Sequence, residues 1–109
     1  MISHTLKKEI IARLSEKKPF KVILFGSGAW GDLDKESDVD LLVVLDKEGM
    51  PHSFREKTEN FIEVSRLLRD LNKRIAMDIV VMTRTQWNRF IEMESGFSRE
   101  VQEKGLSLI

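Results

Sequence analysis

Two apolar runs of strand length enclose the most restrictive stretch of this chain. Val22-Ile23-Leu24-Phe25 leads into a glycine-rich turn, and Leu41-Leu42-Val43-Val44-Leu45 follows a pair of aspartates, Asp38 and Asp40. Short apolar runs bounded by turn residues read as buried strands. Side chains alternate between the faces of a strand, so Asp38 and Asp40 point the same way. Like charges about 4 Å apart repel by roughly 4 kcal/mol at an effective dielectric near 20. That is a large share of a typical domain stability of about 5–15 kcal/mol. A chain that keeps such a pair most simply uses it to hold a divalent cation through oxygen ligands.

The remaining elements follow from periodicity. Leu6, Ile10, Ile11 and Leu14 recur at helical spacing, with Ser3 or Thr5 as cap and Pro19 as the stop. Phe20 to Phe25 is the first strand, Gly26 to Gly31 a tight turn opening a short helix, and Asp32 to Ser37 a charged loop. Asp38 to Leu45 is the second strand, paired with the first, and Asp46 to Pro51 is a turn. A helix is expected from Phe54 to Asn72, with Phe54, Phe61, Ile62, Leu68 and Leu71 as its buried stripe. The third strand runs from Ile75 to Met82, and Asp78 is its one ionised residue. Thr83 or Thr85 opens a helix that turns Trp87, Phe90 and Ile91 toward the core or a partner. Arg99 to Lys104 forms a last helical turn or two, stopped by Gly105, and Leu106 to Ile109 is an apolar tail. The order predicts an α+β (α/β-like) fold, a small mixed β-sheet with helices packed mainly on one face.

The chain of 109 residues fits one domain, 1–109. Lys and Arg number 18 and so do Asp and Glu, so bulk charge gives no argument for a nucleic-acid or membrane partner. With no cysteine, disulfides and thiolate metal sites are excluded. Hydrophobic runs are far shorter than the roughly 20 residues of a membrane span. No signal-peptide core follows Met1, and a cytoplasmic location is the expectation. Trp87, Phe90, Phe97, Leu106, Leu108 and Ile109 are more apolar surface than one small sheet covers. They point to a homo-oligomer or a hetero-complex.

If the second and third strands are neighbours, Asp78 comes alongside Asp38 and Asp40. Three converging carboxylates suit two Mg²⁺ ions about 3.5–4 Å apart, one activating a hydroxyl and one binding the phosphates of a nucleoside triphosphate. Gly26, Ser27 and Gly28 supply backbone N–H groups and a hydroxyl for phosphate oxygens. The turn is not a Walker-type loop, since no Lys-Ser or Lys-Thr pair follows it. His4 and His52 have no metal-ligand spacing.

G-S-G-A-W-G followed by S-D-V-D-L-L-V, with a lone aspartate on a later strand, resembles the polymerase-β-like nucleotidyltransferases. The small "minimal nucleotidyltransferase" (MNT-type) branch is the nearest likeness. Gly26, Ser27, Ala29, Gly31, Ser37, Asp38, Asp40, Leu41 and Asp78 carry the resemblance. It implies a metal-dependent transfer of a nucleoside monophosphate, AMP from ATP, to a hydroxyl. Asp38 and Asp40 would hold both metals, Asp78 one metal and the acceptor's proton, and Ser27 the triphosphate. It further implies a HEPN-domain partner, with this chain as antitoxin. Gly28 and Trp30 depart from the pattern, whose second variable position is often arginine. They favour the alternative reading, a catalytically inactive nucleotide-binding or partner-binding subunit.

Overall fold

The computed structural model describes residues 4–26 and 39–109. After helix α1 (His4–Leu14) and a 3-10 turn (Ser15–Lys17) come strands β1 (Lys21–Phe25) and β2 (Val39–Leu45). Helices α2 (Phe54–Leu67) and α3 (Arg69–Arg74) lead to β3 (Met77–Thr83). Helices α4 (Arg84–Met93) and α5 (Gly96–Lys104) and the short strand β4 (Leu106–Ser107) follow. The sheet order is β3-β2-β1-β4, with β1 antiparallel to β2 and β4, and β2 parallel to β3. The expected mixed sheet in an α+β fold is what the chain builds.

Strand β2 is an almost unbroken apolar run because both of its faces are covered, as in a buried parallel sheet. Leu41, Val43 and Leu45 pack with Ile10 and Leu14 of α1 and with Val64, Leu68 and Leu71. Leu42 and Val44 belong to a second cluster with Ile23, Trp87, Phe90 and Val101. The first cluster is the larger, and α4 and α5 close the opposite face. Trp87 and Phe90, only 5% and 9% exposed, therefore point to this chain's own core. They account for much of the C-terminal apolar surplus, while Phe97 and Ile109 stay 40% exposed.

Two expectations need correction. The helix expected over 54–72 divides at Leu68, whose backbone (φ −102, ψ 6) leaves helical geometry. Its buried side is Val64, Leu68 and Leu71, at i, i+4 and i+7, whereas Phe54, Phe61 and Ile62 are 84%, 43% and 42% exposed. The apolar tail contains β4, which extends the sheet by pairing Leu106 with Leu24 and Ser107 with Ile23. A two-residue strand has no periodicity to read.

The helix starts are chemically explicit. The Ser53 hydroxyl accepts from Glu56 N–H at 3.2 Å, and the Glu56 carboxylate accepts from His52 N–H at 2.7 Å. Thr83 and Gln86 form a reciprocal capping box at α4. Arg13 donates to Asp70 at 2.6 Å, tying α1 to α3. That hydrogen bond from the guanidinium holds the Asp70 carboxyl below the usual carboxylate range. The depressed value makes the contribution a stabilising one above the ordinary carboxylate pKa, lost as pH falls through the folded value. The pair is exposed to solvent, so the effect is small.

Candidate functional site

Strand directions bring three ends of chain to one place. The C-terminal end of β1 meets the N-terminal ends of β2 and β3, because β1 runs opposite to both. Phe25 pairs with Asp40, and Asp40 pairs with Asp78. Paired positions on adjacent strands share a face about 4.8 Å apart, so the two aspartates are lateral neighbours. Their face is that of Leu42, Val44, Val80 and Met82, the side closed by α4 and α5. Asp40 is half-buried and Asp78 exposed, so the pair sits where the apolar face opens to solvent.

Gly26 ends β1 with φ +71, a left-handed conformation that glycine adopts without penalty. A Cβ at this position would overlap the Asp40 carboxylate oxygen. Glycine is thus required twice, for its backbone angle and for its missing side chain. Gly26→Ala should destabilise the fold by about 1–3 kcal/mol, the range for such local strain. It should also displace Asp40. A urea midpoint within error of the parent would contradict both requirements.

The ground beside the carboxylates is aromatic. The Phe25 ring meets Phe97 edge-on at 5.3 Å, Phe97 meets Phe90 at 5.3 Å, and Trp87 lies 5.8 Å from Phe90. This layer fixes Phe25, and with it the strand end that carries Gly26. Phe97 was not visible from the sequence as a neighbour of the site, since only the β1–β2 register and the packing of α5 bring it there.

The structure thus places Gly26 against Asp40, and Asp40 beside Asp78. Asp38, Ser27 and Gly28 lie outside the described residues, as do Trp30 and the short helix expected after the turn. Among the described residues no three acidic or histidine side chains gather into a metal cluster. The described part of the site is a carboxylate pair beside a glycine cradle. Such oxygen donors fit a hard divalent cation such as Mg²⁺ rather than a thiophilic metal. A separate surface cavity of about 350 Å³, lined in part by Lys47, Gly49, His52, Glu56 and Thr83, lies at the other end of β2 and β3. Five residue steps of strand run from Asp40 to Leu45, roughly 17 Å, so that cavity is not part of this site.

The family model for "Polymerase beta, Nucleotidyltransferase" matches residues 8–95. The chain belongs to this nucleotidyltransferase family. Among relatives of the family, a Methanocaldococcus jannaschii protein provisionally named a protein adenylyltransferase is 38% identical over 95 residues. The alignment spans 87% of this chain and 90% of that protein. The resemblance to MNT-type nucleotidyltransferases is therefore met in sequence. In solved structures, the fold is similar to a toxin–antitoxin MntA–HpeT mutant, in which two aspartates one residue apart are changed to glutamate. The TM-score is 0.55 at 18% identity, over 94% of this chain and 72% of that one. A toxin–antitoxin solved with AMP-PNP is similar to the same degree, with TM-score 0.55 at 20% identity and the same coverage. At these identities the likeness is one of fold. No helix among the described residues is long and apolar enough to cross a membrane.

Proposed function

We propose that this chain, acting as one nucleotidyltransferase domain in the cytoplasm, transfers AMP from ATP to a hydroxyl of a partner protein. The observation that carries the reading is the lateral pair Asp40 and Asp78 with Gly26 pressed against Asp40. In this reading Asp38, Asp40 and Asp78 hold two Mg²⁺ ions, and Gly26, Ser27 and Gly28 take the triphosphate. Bound cations would acidify the acceptor hydroxyl and offset the charge of the departing pyrophosphate. Asp78, exposed on the outer strand, accepts the acceptor's proton. Asp40, half-buried, stays fixed by the backbone around it. The Ser27 hydroxyl and the turn's N–H groups orient the α-phosphate for in-line attack.

The partner is proposed from what the fold provides. In this reading the described residues supply the donor side of the reaction, and the acceptor is held by the partner. A HEPN-domain protein, with a tyrosine or another exposed hydroxyl docked at the open side of Asp78, would complete the reaction and be masked by it. The toxin–antitoxin neighbours and the adenylyltransferase name of the M. jannaschii relative support this reading. Gly28 and Trp30, which replace the more polar residues common in the turn, support a second one, a subunit that binds nucleotide and partner without turnover. Incubation with labelled ATP and Mg²⁺, with and without the HEPN-domain protein, separates them. Label on the partner is the expected result. Transfer to a small molecule without any partner would overturn the partner requirement, and nucleotide binding without transfer would establish the non-catalytic subunit.

A further inference from the structure

We propose that Asn72 is a positioning residue that holds Asp78 in register beside Asp40. The proposal rests on the reading that Asp78 and Asp40 work together. It starts from the place of β3 in the sheet, where β2 is the one strand that pairs with it among the described residues. Val39 N–H donates to the Ala76 carbonyl at 2.9 Å. By the alternation of a parallel ladder, the N–H groups of Met77, Ile79, Val81 and Thr83 then face the open edge. Two of these four find side-chain acceptors. Thr83 N–H donates to the Gln86 Oε1 at 2.9 Å, which is part of the capping box of α4. Met77 N–H donates to the Asn72 Oδ1, also at 2.9 Å.

The second bond has no helix start to explain it. Asn72 lies in the last turn of α3, and only Ile75 and Ala76 separate that helix from β3. The bond grips the strand one residue before Asp78. Met77 turns its side chain into the core beside α1 and α2, so Asp78 turns to the opposite face, where Asp40 is. A slip of one residue would reverse this and carry Asp78 away from the site. An interior strand resists such a slip from two sides, whereas the start of β3 has Val39 on one side and Asn72 on the other. Site groups act within narrow tolerances, and a hydrogen bond at the adjacent residue is the local means of meeting them.

The test uses the full chain with Asn72→Ala and Asn72→Asp, the latter retaining an oxygen acceptor in the same position. Amide hydrogen exchange should show protection at Met77 and Asp78 falling about tenfold or more in Asn72→Ala, with Leu42 and Val43 unchanged. Asn72→Asp should restore it. In calorimetry with Mn²⁺ and AMP-PNP, Asn72→Ala should weaken cation affinity on the order of tenfold, the usual effect of losing a support behind a ligand. It should have no further effect in an Asp78→Asn background, as for two residues acting through one another. Unchanged protection at Met77 and Asp78 would overturn the proposal, and so would an equal loss of affinity in the Asp78→Asn background. If the parent takes up no Mn²⁺, the cation reading falls instead, while the exchange data still decide whether Asn72 holds Asp78.

Discussion

Asp40→Asn should lower the proposed AMP transfer by about a thousandfold while leaving the fold intact. Cation-mediated stabilisation of developing charge is worth several kcal/mol. Losing about 4 kcal/mol of it slows a reaction by roughly three orders of magnitude. Asp40 is the better target than Asp78 because it is the half-buried member of the pair, with the Gly26 backbone packed against its carboxylate. It also stands outside both apolar clusters, so removing its charge disturbs no core packing. Circular dichroism should match the parent. A rise in melting temperature on adding Mn²⁺, expected by mass action for the parent, should be absent. Single-turnover transfer from labelled ATP within tenfold of the parent would remove Asp40 from the chemistry.

The largest loss of stability is expected from Leu41→Ala. Leu41 is fully buried in the central strand, among side chains from α1, α2 and β3. Deleting a buried leucine costs about 2–5 kcal/mol, combining lost transfer energy with the cavity left behind. Strand β2 is hydrogen-bonded on both sides, so the backbone has little freedom to close that cavity. Against a total of about 5–15 kcal/mol, the variant should be near the limit of stable folding. Urea unfolding measures this through the midpoint. A loss under about 1 kcal/mol would mean that the two-sided packing around β2 is far looser than described.

These residues also show where the sequence was readable. Leu41 to Leu45 and Val22 to Phe25 announced themselves because a strand buried on both faces must be apolar throughout. Asp78 stood out because an ionised residue in an otherwise apolar run needs a reason. The pairing of β2 with β3 turned three separately noticed residues, Gly26, Asp40 and Asp78, into one place. The helix after residue 53 was harder. Phe54, Phe61 and Ile62 lie on one stripe and are more conspicuous than Val64, yet Val64 is the residue inside. The choice between the two stripes depends on how the helix sits over β2 and β3, and the break at Leu68 carries no glycine or proline to mark it. Asn72 was invisible for a related reason. Its importance lies in a hydrogen bond to a backbone five residues on, and residue type alone does not announce such a contact.

The position of β4 has a consequence for synthesis. Its pairing joins Leu106 and Ser107 to Leu24 and Ile23, more than eighty residues earlier. A ribosome adding about 5–20 residues per second releases β1 several seconds before its outer neighbour exists. Through that interval β1 can pair with β2, but its other side presents unpaired amides along Lys21 to Phe25, a template for another nascent chain. Leu108 N–H donates to the Val22 carbonyl at 2.7 Å, so the last step of sheet formation also covers the strand that was exposed longest. A chain truncated after Gly105 should therefore associate with its own copies more readily than the chain of 109 residues.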